Sequence, residues 1–168
     1  MKRIKQLLVL FVILGAGFSS FAQTTTFILV RHAEKAAPTP NMQTSDPELS
    51  DAGKQRALNL VEVLKNYHPD VLYSTNYIRT KTTLAPLAAK LNKPVEVYDP
   101  SKLADFAALL KQQTGKTIVV AGHSNTTPQL ANLLIGEKKY EDLNDSVYNK
   151  IWIITIDNGK VTDSVIEY

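Results

Sequence analysis

Short apolar stretches rich in β-branched residues alternate along this chain with longer segments of helical periodicity, and that alternation restricts the fold more than any other feature. Thr25 to Val30 is the first such stretch and ends abruptly at Arg31-His32. The prolines Pro38, Pro40 and Pro47 then mark a long loop. Ser50 is a suitable N-cap for a helix to about Asn66, with Ala57, Leu60, Val61 and Leu64 on one stripe. Val71 to Ser74 reads as a second strand, Tyr77 to Leu91 as a second helix and Pro94 to Tyr98 as a third strand. Asp99-Pro100 supplies a cap followed by proline at the first helical position, opening a helix to Gln113. Thr117 to Ala121 is a continuously apolar fourth strand, and Thr127-Pro128 opens a short helix closed by Gly136. Ile151 to Ile156 and Val161 to Ile166 flank Asn158-Gly159, a hairpin signal. Repeated β-α units predict an α/β fold, a mostly parallel central sheet covered by helices on both faces. Ligands in such folds sit beyond the carboxyl ends of the strands.

The first twenty-two residues read separately. Lys2, Arg3 and Lys5 precede an unbroken run of apolar and small residues from Leu7 to Phe18, and Ser20-Phe21-Ala22 offers small residues at a cleavage site. This order predicts a signal peptide over 1–22, its apolar run being well short of the ~20 residues that span a bilayer as a helix, and a single domain over 23–168. Export to the periplasm or the medium follows, with no stable membrane association after cleavage. The chain has 19 Lys and Arg against 16 Asp and Glu, and the leader holds three of the former and none of the latter. The domain is therefore neutral, which argues against nucleic acid as a partner. The chain contains no cysteine, so neither disulfides nor a thiolate nucleophile can contribute. The three histidines show no metal-ligand spacing, and no metal or other cofactor is expected.

Chemistry-bearing residues fall where the fold would gather them. Arg31-His32 follows the first strand, Gly122-His123-Ser124-Asn125 follows the fourth, and Arg79 lies just past the second. Two arginine forks can neutralise a phosphoryl dianion, and a neutral imidazole among them can attack phosphorus. His68, before Pro69, reads as a surface histidine, Asp99 as a cap, and Trp152 as a core aromatic.

Four ordered segments carry a resemblance. Leu29-Val30-Arg31-His32-Ala33-Glu34-Lys35 resembles the signature of the histidine phosphatase superfamily, with its phosphoglycerate mutase-like fold. Leu49 to Ala57 resembles the first-helix pattern of that family, Tyr73 to Thr82 its second-arginine segment, and Val119 to Thr126 its second-histidine strand and loop. The resemblance implies a three-layer α/β/α sandwich in which His32 is the nucleophile, Arg31 and Arg79 hold the phosphoryl oxygens, and His123 donates to the transition state. Asn125 would line the pocket, and no metal would be used. The substrate would be a small phosphorylated molecule.

One departure from the family pattern bears on mechanism. Larger members carry an insertion after the second-arginine helix with a glutamate proton donor, and no comparable Leu-x-Glu segment occurs here. The pattern is closer to the short phosphohistidine-phosphatase branch. Glu34, two residues past His32, is the best remaining candidate acid, with a supporting hydrogen-bonding role as its alternative, and Asp46, Glu48 and Asp99 are weaker candidates. The expectation is an exported, metal-independent phosphatase of the histidine acid type, acting on phosphomonoesters through a phosphohistidine. The alternatives are a phosphohistidine phosphoprotein phosphatase and a catalytically idle phospho-ligand binder.

Overall fold

A computed structural model describes residues 23–37 and 45–168. The leader expected over 1–22 lies outside the described residues, as do Pro38 and Pro40. Six strands form one sheet in the order β3-β2-β4-β1-β5-β6. Strands β1 (Thr25–Arg31), β2 (Val71–Ser74), β3 (Val95–Val97) and β4 (Thr117–Gly122) are mutually parallel. Strands β5 (Lys150–Asp157) and β6 (Lys160–Glu167) add an antiparallel hairpin beside β1. Its turn is Asn158-Gly159, both at positive φ, the backbone that a two-residue I′ turn requires.

Side-chain alternation along the central strands divides the core into two layers. Phe27 and Leu29 of β1, Ile118 and Val120 of β4, and Trp152 and Ile154 of β5 face helices α3 (Leu103–Gln112) and α4 (Thr126–Ile135). Ile28 and Val30, Val119 and Ala121, and Ile151 face α1 (Asp51–Val63) and α2 (Ile78–Leu91). Each of these strand residues is buried, and each Val, Leu, Ile or Phe among them contributes about 1.5–3 kcal/mol by leaving water. Helices on both faces of a mostly parallel sheet make the expected α/β sandwich.

Local signals act where the sequence places them. The Ser50 hydroxyl accepts from the Gly53 amide at 3.1 Å and caps α1. The Asp99 carboxylate accepts from the Ser101 amide, but the helix it opens begins as a 3₁₀ turn over Pro100–Lys102 before α3 proper. Strand β3 is shorter than expected, since Pro94 lacks an amide for the ladder and Tyr98 turns into the core. The pairing of Arg31 with Gly122 and of Ser74 with Ala121 brings the ends of β1, β2 and β4 together at one edge. Among the described residues, no helix is long and apolar enough to cross a membrane.

Candidate active site

The loop after β1 is held from three sides. The His32 amide donates to the Gly122 carbonyl at 2.9 Å, extending the β1–β4 ladder one residue past the strand. The Ala33 amide donates to the Thr83 hydroxyl at 2.9 Å, and that hydroxyl donates to the Arg79 carbonyl at 2.8 Å. The Ser50 amide donates to the Glu34 carbonyl at 2.9 Å. Gly53 sits so close that a Cβ there would come within 2.3 Å of the same oxygen, so the first turn of α1 lies directly on this loop.

These ties fix His32, which is 3% exposed. Its Nδ1 lies 2.8 Å from the Ala33 carbonyl oxygen. A carbonyl only accepts, so Nδ1 carries the proton and Nε2 keeps its lone pair. Burial pushes the His32 pKa down to about 3, aided by Arg31, Arg79 and His123 and opposed by the bond to Ala33. The ring is therefore neutral throughout the physiological range, with Nε2 free to act as a nucleophile.

Both arginines are braced. Arg31 donates from one terminal nitrogen to the carbonyls of Asn144, Asp145 and Val147 at 3.0, 3.1 and 2.7 Å, and stacks against Tyr148 with its carbon 4.1 Å from the ring centre. Arg79 pairs with Asp46 at 3.1 Å and lies over Tyr77 at 4.4 Å. The Asp46 carboxylate also accepts from the Ile78 amide at the start of α2. In both arginines Nε is buried without a hydrogen-bond partner among the described residues. Two such donors beside a neutral imidazole suit the oxygens of a phosphoryl group.

His123 completes the group, its ring centre 5.5 Å from that of His32 and 4.9 Å from that of Tyr77. Burial lowers its pKa to about 4, with Arg79 and Arg31 adding to the effect and Asp46 opposing it. A cleft of about 440 Å³ is bordered by Arg31, His32, Arg79, His123 and Asn125, so five of the six expected residues converge. Asn125 stands exposed at the start of α4 with no capping bond from its side chain.

Glu34 is not brought to this group. Arg56 grips its carboxylate through Nε at 2.9 Å to each oxygen and through a terminal nitrogen at 2.7 Å. Arg56 in turn donates to the Tyr168 carbonyl at 2.6 Å. Burial disfavours the Glu34 charge, but the Arg56 fork outweighs it and holds the carboxyl below its usual range. A carboxylate kept ionised and turned toward α1 is poorly suited to donate a proton at His32. Sequence proximity also missed Lys35, Tyr77, Ser101 and Asp145, which border the cleft. Lys35 and Tyr77 lay within segments that the motifs had singled out, and Ser101 and Asp145 did not.

His68 lies exposed in the loop after α1, and Trp152 is buried in the core. Among the described residues, no group of three His, Cys, Asp or Glu could hold a metal ion.

The sequence pattern of the histidine phosphatase superfamily, branch 1, matches residues 27–107. Over those residues the chain carries the pattern of the histidine phosphatase superfamily. Solved structures similar to this chain include the alpha-ribazole phosphatase of Shigella flexneri, 16% identical with a TM-score of 0.68, over 85% of this chain and 96% of that one. Another is a phosphoserine phosphatase of Entamoeba histolytica in complex with 3-phosphoglyceric acid, 18% identical, TM-score 0.63, over 86% and 97%. A third is the protein histidine phosphatase SixA complexed with tungstate, 17% identical, TM-score 0.64, over 84% and 96%. Identities this low establish a shared phosphoglycerate mutase-like fold. No curated protein matches the chain in sequence.

Proposed function

We propose that this chain is an exported, metal-independent enzyme that hydrolyses small phosphomonoesters through a phosphohistidine on His32. The observation that carries the reading is a buried, neutral His32 of one tautomer, bordering one cleft with two arginines whose Nε donors are buried and unpartnered among the described residues. Nε2 attacks phosphorus in line, and Arg31 and Arg79 take the equatorial oxygens as charge shifts onto them. The departing oxygen leaves on the far side, and water then releases phosphate from His32. A cleft of about 440 Å³ has the size of a small-molecule site, which favours a small ester over a folded phosphoprotein.

Export rests on the charged-apolar-small order of residues 1–22, with cleavage between Ala22 and Gln23. The intact mass of the protein recovered from its host tests that point, and a membrane-bound species retaining Met1 would contradict it. The catalytic reading is tested with His32→Ala. Turnover of aryl phosphates should vanish, while wild type quenched during turnover should carry an acid-labile, base-stable phosphate on His32. Chelators should leave the rate unchanged, and vanadate should inhibit. Residual turnover in the His32 variant at more than a small fraction of wild type would refute the mechanism.

A further inference from the structure

Two threonines behind His123 settle which of its nitrogens meets the substrate. His123 Nε2 lies 3.0 Å from the Thr75 hydroxyl, which lies 2.9 Å from the Thr80 hydroxyl. The Thr80 hydroxyl lies 3.1 Å from the Thr75 carbonyl and 2.9 Å from the Tyr77 carbonyl. Both threonines are fully buried. Each bond can be assigned a direction because each hydroxyl has a single proton. The Thr80 proton goes to one of the two carbonyls, since turning it away would set its lone pairs against two oxygens that can only accept. Thr75 then donates to Thr80, and the only donor left for Thr75 Oγ1 is Nε2–H of His123. The other ring nitrogen, Nδ1, has no hydrogen-bond partner among the described residues.

We propose that Thr75 and Thr80 are positioning residues that keep a proton on Nε2 of His123, so that Nδ1 takes up and hands on the proton of the leaving group. The proposal rests on the phosphatase reading above, and it supplies the acid that Glu34, bound to Arg56, does not. The proton enters with a monoanionic ester, passing from its P–OH to Nδ1. His32 Nε2 then bonds to phosphorus, the P–O bond to the leaving group breaks, and the departing oxygen keeps the electron pair and takes the Nδ1 proton. In the second half a water oxygen bonds to phosphorus, a water proton goes to Nδ1, and the P–N bond returns its pair to His32. Phosphate departs with that proton as a monoanion, and both rings are again neutral.

The surroundings of His123 favour this cycle. The groups that face its ring are Arg31 and His32 from the end of β1, Tyr77 and Arg79 from the start of α2, and Asp46 from the loop before α1. Burial first, and then the two guanidinium charges, keep the free ring neutral. A phosphoryl anion between them offsets those charges and raises the proton affinity of Nδ1.

The test is nitrogen-15 NMR of the full-length protein labelled at histidine, with vanadate as the phosphoryl probe. His123 should be protonated on Nε2 alone in the free protein and gain an Nδ1 proton with vanadate. A free protein with the proton on Nδ1 overturns the proposal. Kinetics give an independent readout. Thr75→Val should mix the tautomers and lower kcat on alkyl phosphates by about 10²-fold, within the range of general acid catalysis. KM should stay within about threefold, because ground-state phosphate contacts are untouched. Aryl phosphates should lose much less, and Thr75→Ser should restore the rate. Equal losses on both classes, or a change in KM alone, overturn the proposal. If Thr75→Val does not fold, the wild-type spectra still decide. A wild type with no phosphohistidine and no turnover would instead defeat the phosphatase reading, leaving the tautomer assignment intact.

Discussion

Replacing Glu34 by Gln separates support of the catalytic loop from acid catalysis. The carboxylate and Arg56 share three contacts of 2.7–2.9 Å, with the two side chains 24% and 23% exposed. Exposed ion pairs contribute about 0.2–1 kcal/mol, whereas breaking a fully buried one costs about 3–5 kcal/mol. At this intermediate exposure, solvent screening leaves about 1–2 kcal/mol for loss of the Glu34 charge. A domain of this size loses roughly 2–4 °C in Tm per kcal/mol, so the variant should melt about 2–8 °C lower. The sign with pH follows from the lowered Glu34 carboxyl. Its stabilisation is present above the usual glutamate range and is lost as pH falls through the depressed value. The melting gap between wild type and variant should therefore close on acidification. Urea unfolding at several pH values and kcat on matched aryl and alkyl phosphates are the assays. Turnover should drop by a similar small factor on both classes, as expected for a loosened His32 loop. A loss of about 10²-fold confined to alkyl substrates, with stability unchanged, would make Glu34 the acid and refute this reasoning.

Gly53→Ala should destabilise the fold by about 1–3 kcal/mol and depress turnover, because its Cβ would press on the Glu34 carbonyl at 2.3 Å; urea unfolding and kcat check this. Arg31→Lys should weaken vanadate inhibition at least about tenfold, since an ammonium cannot brace three carbonyls and still offer the donor that Nε supplies. Stability should fall on acidification from about pH 6.5, because His32 and His123 stay neutral to about 3 and 4 when folded while unfolded histidine protonates near 6.5. His32→Asn should make that loss shallower in urea melts between pH 7 and 4.5.

The layers of the fold were readable because burial on two faces forces continuous apolar strands. Phe27 to Val30 and Ile118 to Ala121 could be neither surface strands nor amphipathic helices. Boundaries were less readable where a local signal allowed two backbones. Asp99-Pro100 caps a 3₁₀ turn as readily as an α-helix, and the choice came from Tyr98 and Leu103 burying on either side. Strand order was not legible. Nothing within β4 states that it lies between β1 and β2, because a parallel sheet fixes order through packing of the crossover helices.

In the site, side chains that carry charge or a ring stood out, and groups that act through the backbone did not. Arg31, His32, Arg79 and His123 were marked by chemistry at strand exits, where a buried edge leaves few other reasons for such residues. The carbonyls of Asn144, Asp145 and Val147 that brace Arg31 leave no trace in residue type, since any residue offers the same oxygen. Glu34 was misplaced for the converse reason. Its distance from His32 along the chain is two residues, but its partner is Arg56, one turn into a helix that Ser50 and Gly53 seat on the same loop. Thr75 and Thr80 looked like ordinary β-branched residues at a strand end and a helix start. Their role depends on the direction of three hydrogen bonds, and direction exists only once the Tyr77 and Thr75 carbonyls are known to face Thr80. The proton position on His123 is thus a property of the tertiary structure, set by a carbonyl two hydroxyls away from the ring.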